Sequence, residues 1–132
     1  MEKLLTNLIG NAGEHYVAFE LSRRGVSSAM LSVNTKGADI LATISGKYVV
    51  SIQVKASAGS NDPRTWAVGR KPPTPSPNFY FVFLNIWCDL SKPIESFIVP
   101  SQVVLILSIG KPLCLNIELN RKLLVCTVII GT

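Results

Sequence analysis

Between Ala38 and Lys55, apolar and polar positions alternate along two runs, ADILATI and YVVSIQVK, separated by Ser45-Gly46-Lys47. Alternation with a period of two predicts strands. A short connection containing a glycine, which is free to take φ > 0, predicts that the two strands form a hairpin. A three-residue loop sets Ile40 opposite Ile52, Ala42 opposite Val50 and Ile44 opposite Tyr48, all on one side with Val54. The other side then carries Asp39 opposite Gln53 and Leu41 opposite Ser51, with Lys55 two residues beyond Gln53. A slip of one residue would send Asp39 to the side of Ile52 and break the apolar match, so the pattern selects the register.

The same reading extends to the rest of the chain. A helix is predicted from about Ala12 to Arg24, ending at Gly25 as a C′ residue, with Val17, Ala18 and Leu21 on its apolar stripe and Glu14 on that stripe too. Leu4, Leu5, Leu8 and Ile9 have helical spacing, but Gly10 and Gly13 argue against one continuous helix. Ser28 to Asn34 reads as a short strand, and Thr35-Lys36-Gly37 as a turn into Asp39. Ala56 to Asn78 is a long, proline-rich connection. Phe79 to Ile86, FYFVFLNI, reads as a central strand buried on both faces. Ile94 to Val99 is another strand closed by Pro100, and Ser101 fits an N-cap for a helix over Gln102 to Ile109, although VVLILSI also suits a strand. CLNIEL and LLVCTVII look like two strands joined at Asn120-Arg121-Lys122. The fold class expected is α/β: a mixed, mostly antiparallel sheet of four or five strands with the first helix on one face and a later helix on the other.

At 132 residues the chain fits a single domain, 48% hydrophobic and only 16% charged, which excludes long disorder. No apolar run reaches the roughly 18–20 residues of a membrane span, and the start shows no signal-peptide core. Cys88, Cys114 and Cys126 form an odd set without metal spacing, which suits buried thiols in a reducing cytoplasm. With a single histidine, His15, a zinc site is excluded. The net charge of +5 is concentrated in residues 1–72, which hold nine Lys/Arg against five Asp/Glu, an imbalance that suits a polyanionic partner such as DNA or simply aids solubility.

Chemistry concentrates on the polar side of the hairpin. A carboxylate (Asp39), an amide oxygen (Gln53) and the main-chain carbonyl of Val54 are hard oxygen donors suited to Mg²⁺. Lys55 beside them can orient a water or hold a phosphate oxygen, the ingredients of phosphodiester hydrolysis. Glu14, on the inward stripe of the helix, needs a partner if it is buried and is the second acid that could reach such a site. Lys36, Ser57, Arg64, Arg70 and Lys71 are candidates for phosphate contact. Trp66 serves either as a stacking platform or as an anchor for its loop, and the anchor is the favoured reading. The competing reading of the whole pattern is a half-exposed sheet whose polar residues only meet water.

Asp39, then thirteen residues, then Gln53-Val54-Lys55, resembles the D…(D/E/Q)xK signature of the PD-(D/E)xK nuclease superfamily, with glutamine in place of the second acid as in Mrr-type restriction endonucleases. Gly13-Glu14 followed by VAFELSRRG resembles the first helix of resolvase-like and restriction-like members. KGADI and FIVPS follow in matching order, so the resemblance covers roughly residues 10–102 of one domain, 1–132, and fades from Gly110. It implies a restriction-endonuclease-like mixed central sheet with flanking helices, and an endonuclease hydrolysing DNA phosphodiester bonds with Mg²⁺, or Mn²⁺ in its place. Asp39, Gln53, Val54 and Glu14 would be the ligands, and Lys55 the catalytic amine. Cutting both strands would call for two active sites, hence a homodimer. The alternative is a catalytically inactive nucleic-acid-binding or interaction module on the same scaffold, because a neutral amide at Gln53 holds a cation less tightly than a carboxylate. Residues 110–132 are either an extra hairpin or a divergent end.

Overall fold

The hairpin forms in the register that its apolar alternation selects: Ile40 pairs with Ile52, Leu41 with Ser51, Ala42 with Val50 and Ile44 with Tyr48. The computed structural model describes residues 2–32, 37–58, 65–68, 74–108 and 114–116. Their elements run α1 (Glu2–Arg23), β1 (Ser27–Met30), β2 (Ile40–Ile44), β3 (Tyr48–Ser57), β4 (Thr65–Ala67), β5 (Phe79–Asn85), β6 (Glu95–Pro100), α2 (Ser101–Ser108) and β7 (Cys114–Asn116). Five strands make a mixed sheet in the order β1-β2-β3-β5-β6, and β4 pairs with β7 apart from it. The protein is α/β. Within the large sheet only β3 and β5 run parallel. A parallel pair needs a long crossover, which is the purpose of the connection after β3.

Side-chain parity divides the core in two. Ile40, Ala42, Ile52, Val54, Val82 and Leu84 pack with Val17 of α1 on one face. Phe81, Phe83, Phe97 and Val99 pack with Trp66 and with Val104 of α2 on the other. β5 feeds both clusters, which is why its sequence is almost wholly apolar. Trp66 is the anchor of the crossover: its indole N–H donates to the Leu84 carbonyl at 2.8 Å, and its ring lies 5.5 Å from Phe83 and edge-on to Phe97.

The first helix differs from the expectation. It is continuous from Glu2 and passes through both Gly10 and Gly13. A glycine inside a helix costs about 1 kcal/mol relative to alanine, and packing accounts for one of the two. A Cβ on Gly13 would stand 2.8 Å from the Ala56 Cβ and 3.2 Å from Leu84, so the missing side chain lets α1 lie close on β3. Gly10 meets nothing within 4 Å. The helix ends as expected at Gly25 (φ +82°), with Val26 N–H donating to Leu21 O at 2.9 Å and Gly25 N–H to Ser22 O at 3.0 Å, a Schellman pair. Arg23 and Arg24 both pair with Glu20.

Other boundaries shift. β1 stops at Met30, short of the expected Asn34. The hairpin turn takes two left-handed residues, Ser45 (φ +56°) and Gly46 (φ +69°). Residues 101–108 are helical, which resolves the helix-or-strand ambiguity, but the Ser101 hydroxyl clamps Ser76 by accepting from its N–H and donating to its carbonyl, both at 2.9 Å. Only Cys114–Asn116 of CLNIEL is a described strand, paired with Thr65–Ala67, and the LLVCTVII run lies outside the described residues. Cys88, expected to be buried, is exposed. Among the described residues no helix is long and apolar enough to cross a membrane.

The two helix glycines should respond to substitution with opposite sign. Gly10→Ala should stabilise by about 0.5–1 kcal/mol through propensity alone. Gly13→Ala should destabilise by about 1 kcal/mol net, because the overpacking cost of about 1–3 kcal/mol outweighs that gain. Urea unfolding midpoints of the two variants check this.

Candidate active site

The site is built where β2 begins. Asp39 is fastened on both sides by its main chain: its carbonyl accepts from Leu31 N–H and its N–H donates to the Ile52 carbonyl, each at 2.8 Å. Its side chain then does what a strand carbonyl would do one step earlier. Asp39 Oδ2 accepts the Val54 N–H at 2.8 Å. The carboxylate is therefore held at the mouth between β2 and β3, with Oδ1 left over. Within a strand, the N–H and C=O of one residue point to the same edge, so the Val54 carbonyl faces the same gap.

Gln53 and Lys55 stand on the opposite face of β3 from Ile52 and Val54. They are paired with Phe81 and Phe83, which face the aromatic cluster. Both are half-buried. Glu14 arrives from α1, next to Gly13 against Val54 and Ala56. Burial raises the pKa of the Glu14 carboxyl above the ordinary glutamate value, and the negative charge of Asp39 raises it further, with His15 opposing. The two acids are thus close enough to repel.

Of the residues expected at a site, the structure brings Asp39 and Val54 into direct contact, sets Glu14 within electrostatic range of Asp39, and places Gln53 and Lys55 together on one sheet face. Ser57 ends β3 on that same face, paired with Asn85. Lys36, Arg64, Arg70 and Lys71 lie outside the described residues. Asn85 and Glu95 belong to no sequence motif. Asn85 is 1% exposed and donates through Nδ2 to Glu95 Oε1 at 3.3 Å, while its Oδ1 has no partner among the described residues. The available signal was a lone amide at the end of an otherwise apolar strand.

The Asp39 and Glu14 carboxylates and the Val54 carbonyl are hard donors of the kind Mg²⁺ takes, whereas the Gln53 amide stands on the face of β3 opposite α1 and could join them only around the strand edge. Among the described residues no three His, Cys, Asp or Glu side chains gather at one point, so such a site would rely on the amide and the carbonyl. A groove of about 760 Å³ opens elsewhere, on the α1 face, lined by apolar side chains such as Leu21, Val50, Ile52, Val82 and Ile98. Glu20 and Arg24 stand at it, but Glu14, Asp39, Gln53, Lys55 and Ser57 do not.

No protein-family model, no curated protein and no solved structure matches the chain.

Two measurements probe this geometry without any assay of activity. Asp39→Ala, which strands the Val54 N–H, should cost about 1–3 kcal/mol in urea unfolding, and Asp39→Asn, which keeps an acceptor, clearly less. For Glu14 the folded pKa lies above the unfolded one, so the folded chain holds a proton that the unfolded chain has lost. Stability is full below the ordinary glutamate range and falls as pH rises toward the raised value. Glu14→Gln should therefore melt higher than the parent at pH 7 in the absence of metal, and the gap should close at acid pH.

Proposed function

We propose that the chain is a metal-dependent endonuclease of the PD-(D/E)xK type acting on DNA. The observation that carries this reading is the Asp39 carboxylate held on the Val54 amide, beside an amide and an amine that share one face of β3. Asp39, Gln53, the Val54 carbonyl and Glu14 would hold Mg²⁺, or Mn²⁺ in its place. When bound, the cation draws charge from a phosphate oxygen and makes a coordinated water more acidic. Lys55 orients the attacking water and donates to the phosphate oxygen on which charge builds. Ser57 is the phosphate-contacting hydroxyl next along the strand. The positive charge of the chain favours a polyanion, and cutting a duplex would use a homodimer with one site per strand. An exposed free thiol at Cys88 suits a reducing, cytoplasmic setting.

A second reading, a nucleic-acid-binding module without turnover, is favoured by one observation: Gln53 stands where a second strand carboxylate would strengthen cation binding, which leaves two acids.

Labelled duplex, nicked, branched and single-stranded DNA incubated with Mg²⁺ or Mn²⁺ separates the two. Cleavage of at least one form is expected, reduced on the order of 10²–10³-fold or more by Lys55→Ala and similarly by Asp39→Asn. Salt-sensitive binding with no cleavage of any form would favour the second reading instead.

A further inference from the structure

The connection between β5 and β6 stands at the same end of the sheet as Lys55 and Ser57. Ile86 N–H donates to the Ser57 carbonyl at 2.8 Å, and the Cys88 thiol reaches the Ala58 carbonyl at 3.7 Å. Its shape is fixed from within. Asp89 Oδ1 accepts from both the N–H and the hydroxyl of Ser91, and Lys92 N–H donates to the Asp89 carbonyl at 3.1 Å. The Lys92 ammonium sits 4.6 Å from the centre of the Trp87 ring. At the tip, Leu90 is 94% exposed.

A single exposed leucine is ordinary on a protein surface. Leu90 differs because it tops a braced turn flanked by a tryptophan–lysine pair beside a candidate nuclease site. The turn carries one acid, Asp89, and one base, Lys92, so it has little to offer a phosphate backbone. An apolar tip with an aromatic base suits unstacked nucleobases instead, the way apolar wedges enter a base step. We infer that the β5–β6 turn is a wedge that inserts Leu90 between bases of the DNA, giving preference to duplexes whose stacking is already interrupted. The inference rests on the nuclease reading for its partner. Lys55 pairs with Phe83, two residues before β5 ends at Asn85, so the turn follows directly beyond the candidate site.

The test uses the full chain and its Leu90→Ser variant, whose exposed position should leave folding intact. In EDTA, duplexes carrying a nick and 2-aminopurine at successive positions report unstacking as a rise in fluorescence. With Mg²⁺, the same duplexes, nicked and intact, report cleavage. The parent should raise fluorescence severalfold and cut nicked DNA about tenfold faster than intact DNA. Leu90→Ser should abolish the rise and bring the cleavage ratio near one. Equal fluorescence from the two proteins, or no rise with either, overturns the wedge even if cleavage proceeds. A rise that depends on Leu90 without any cleavage keeps the wedge and removes the nuclease reading.

Discussion

Everything at the polar end of the sheet depends on one substitution of roles: the Asp39 carboxylate accepts a strand amide, Val54 N–H, at the point where β2 leaves the ladder. An amide left bare there would cost about as much as a lost hydrogen bond. An aspartate satisfies it with one oxygen and retains a second, charged one at the mouth between two strands. The same bond orients the carboxylate toward the edge of β3 that presents the Val54 carbonyl. Structural need and candidate chemistry thus fall on one side chain.

The rest of the arrangement follows from parity. Once Ile40 pairs with Ile52, the even positions of β3 pack under α1, and the odd positions Gln53, Lys55 and Ser57 fall on the face of Phe81 and Phe83. α1 supplies Glu14 from the other side, and it comes close enough only because Gly13 has no side chain to keep the helix off Ala56. The two acids then share a half-buried corner, where burial first and the charge of Asp39 second raise the Glu14 pKa, with His15 opposing them. That tension is the physical argument for a cation, and it is local to the corner.

How much of this was legible in the sequence depended on the range of the interaction. The register of the hairpin, the C′ glycine at Gly25 and the doubly buried β5 could all be read, because each is written in a short window of alternation, turn chemistry or apolar run. The placement of Gln53 and Lys55 on one face came from the same alternation. The continuous α1 was missed because propensity counted Gly10 and Gly13 as breaks, whereas tertiary contact with β3 made one of them useful. The Asp39–Val54 bond and the Asn85–Glu95 pair were invisible because they join residues fifteen and ten positions apart across strands. Ser101 has the residue type and place of a cap, yet its hydroxyl is used on a loop twenty-five residues away. Lys36, Arg64, Arg70 and Lys71 are candidates by charge alone, and they lie outside the described residues.

The central claim is that this corner takes up a divalent cation through Asp39. Calorimetric titration of Mn²⁺ into the unmodified protein and into Asp39→Asn, in the absence of DNA, addresses it most directly. The account predicts saturable uptake at one site per chain in the former and its loss in the latter. Uptake that is absent from both, or that persists undiminished in Asp39→Asn, would contradict it.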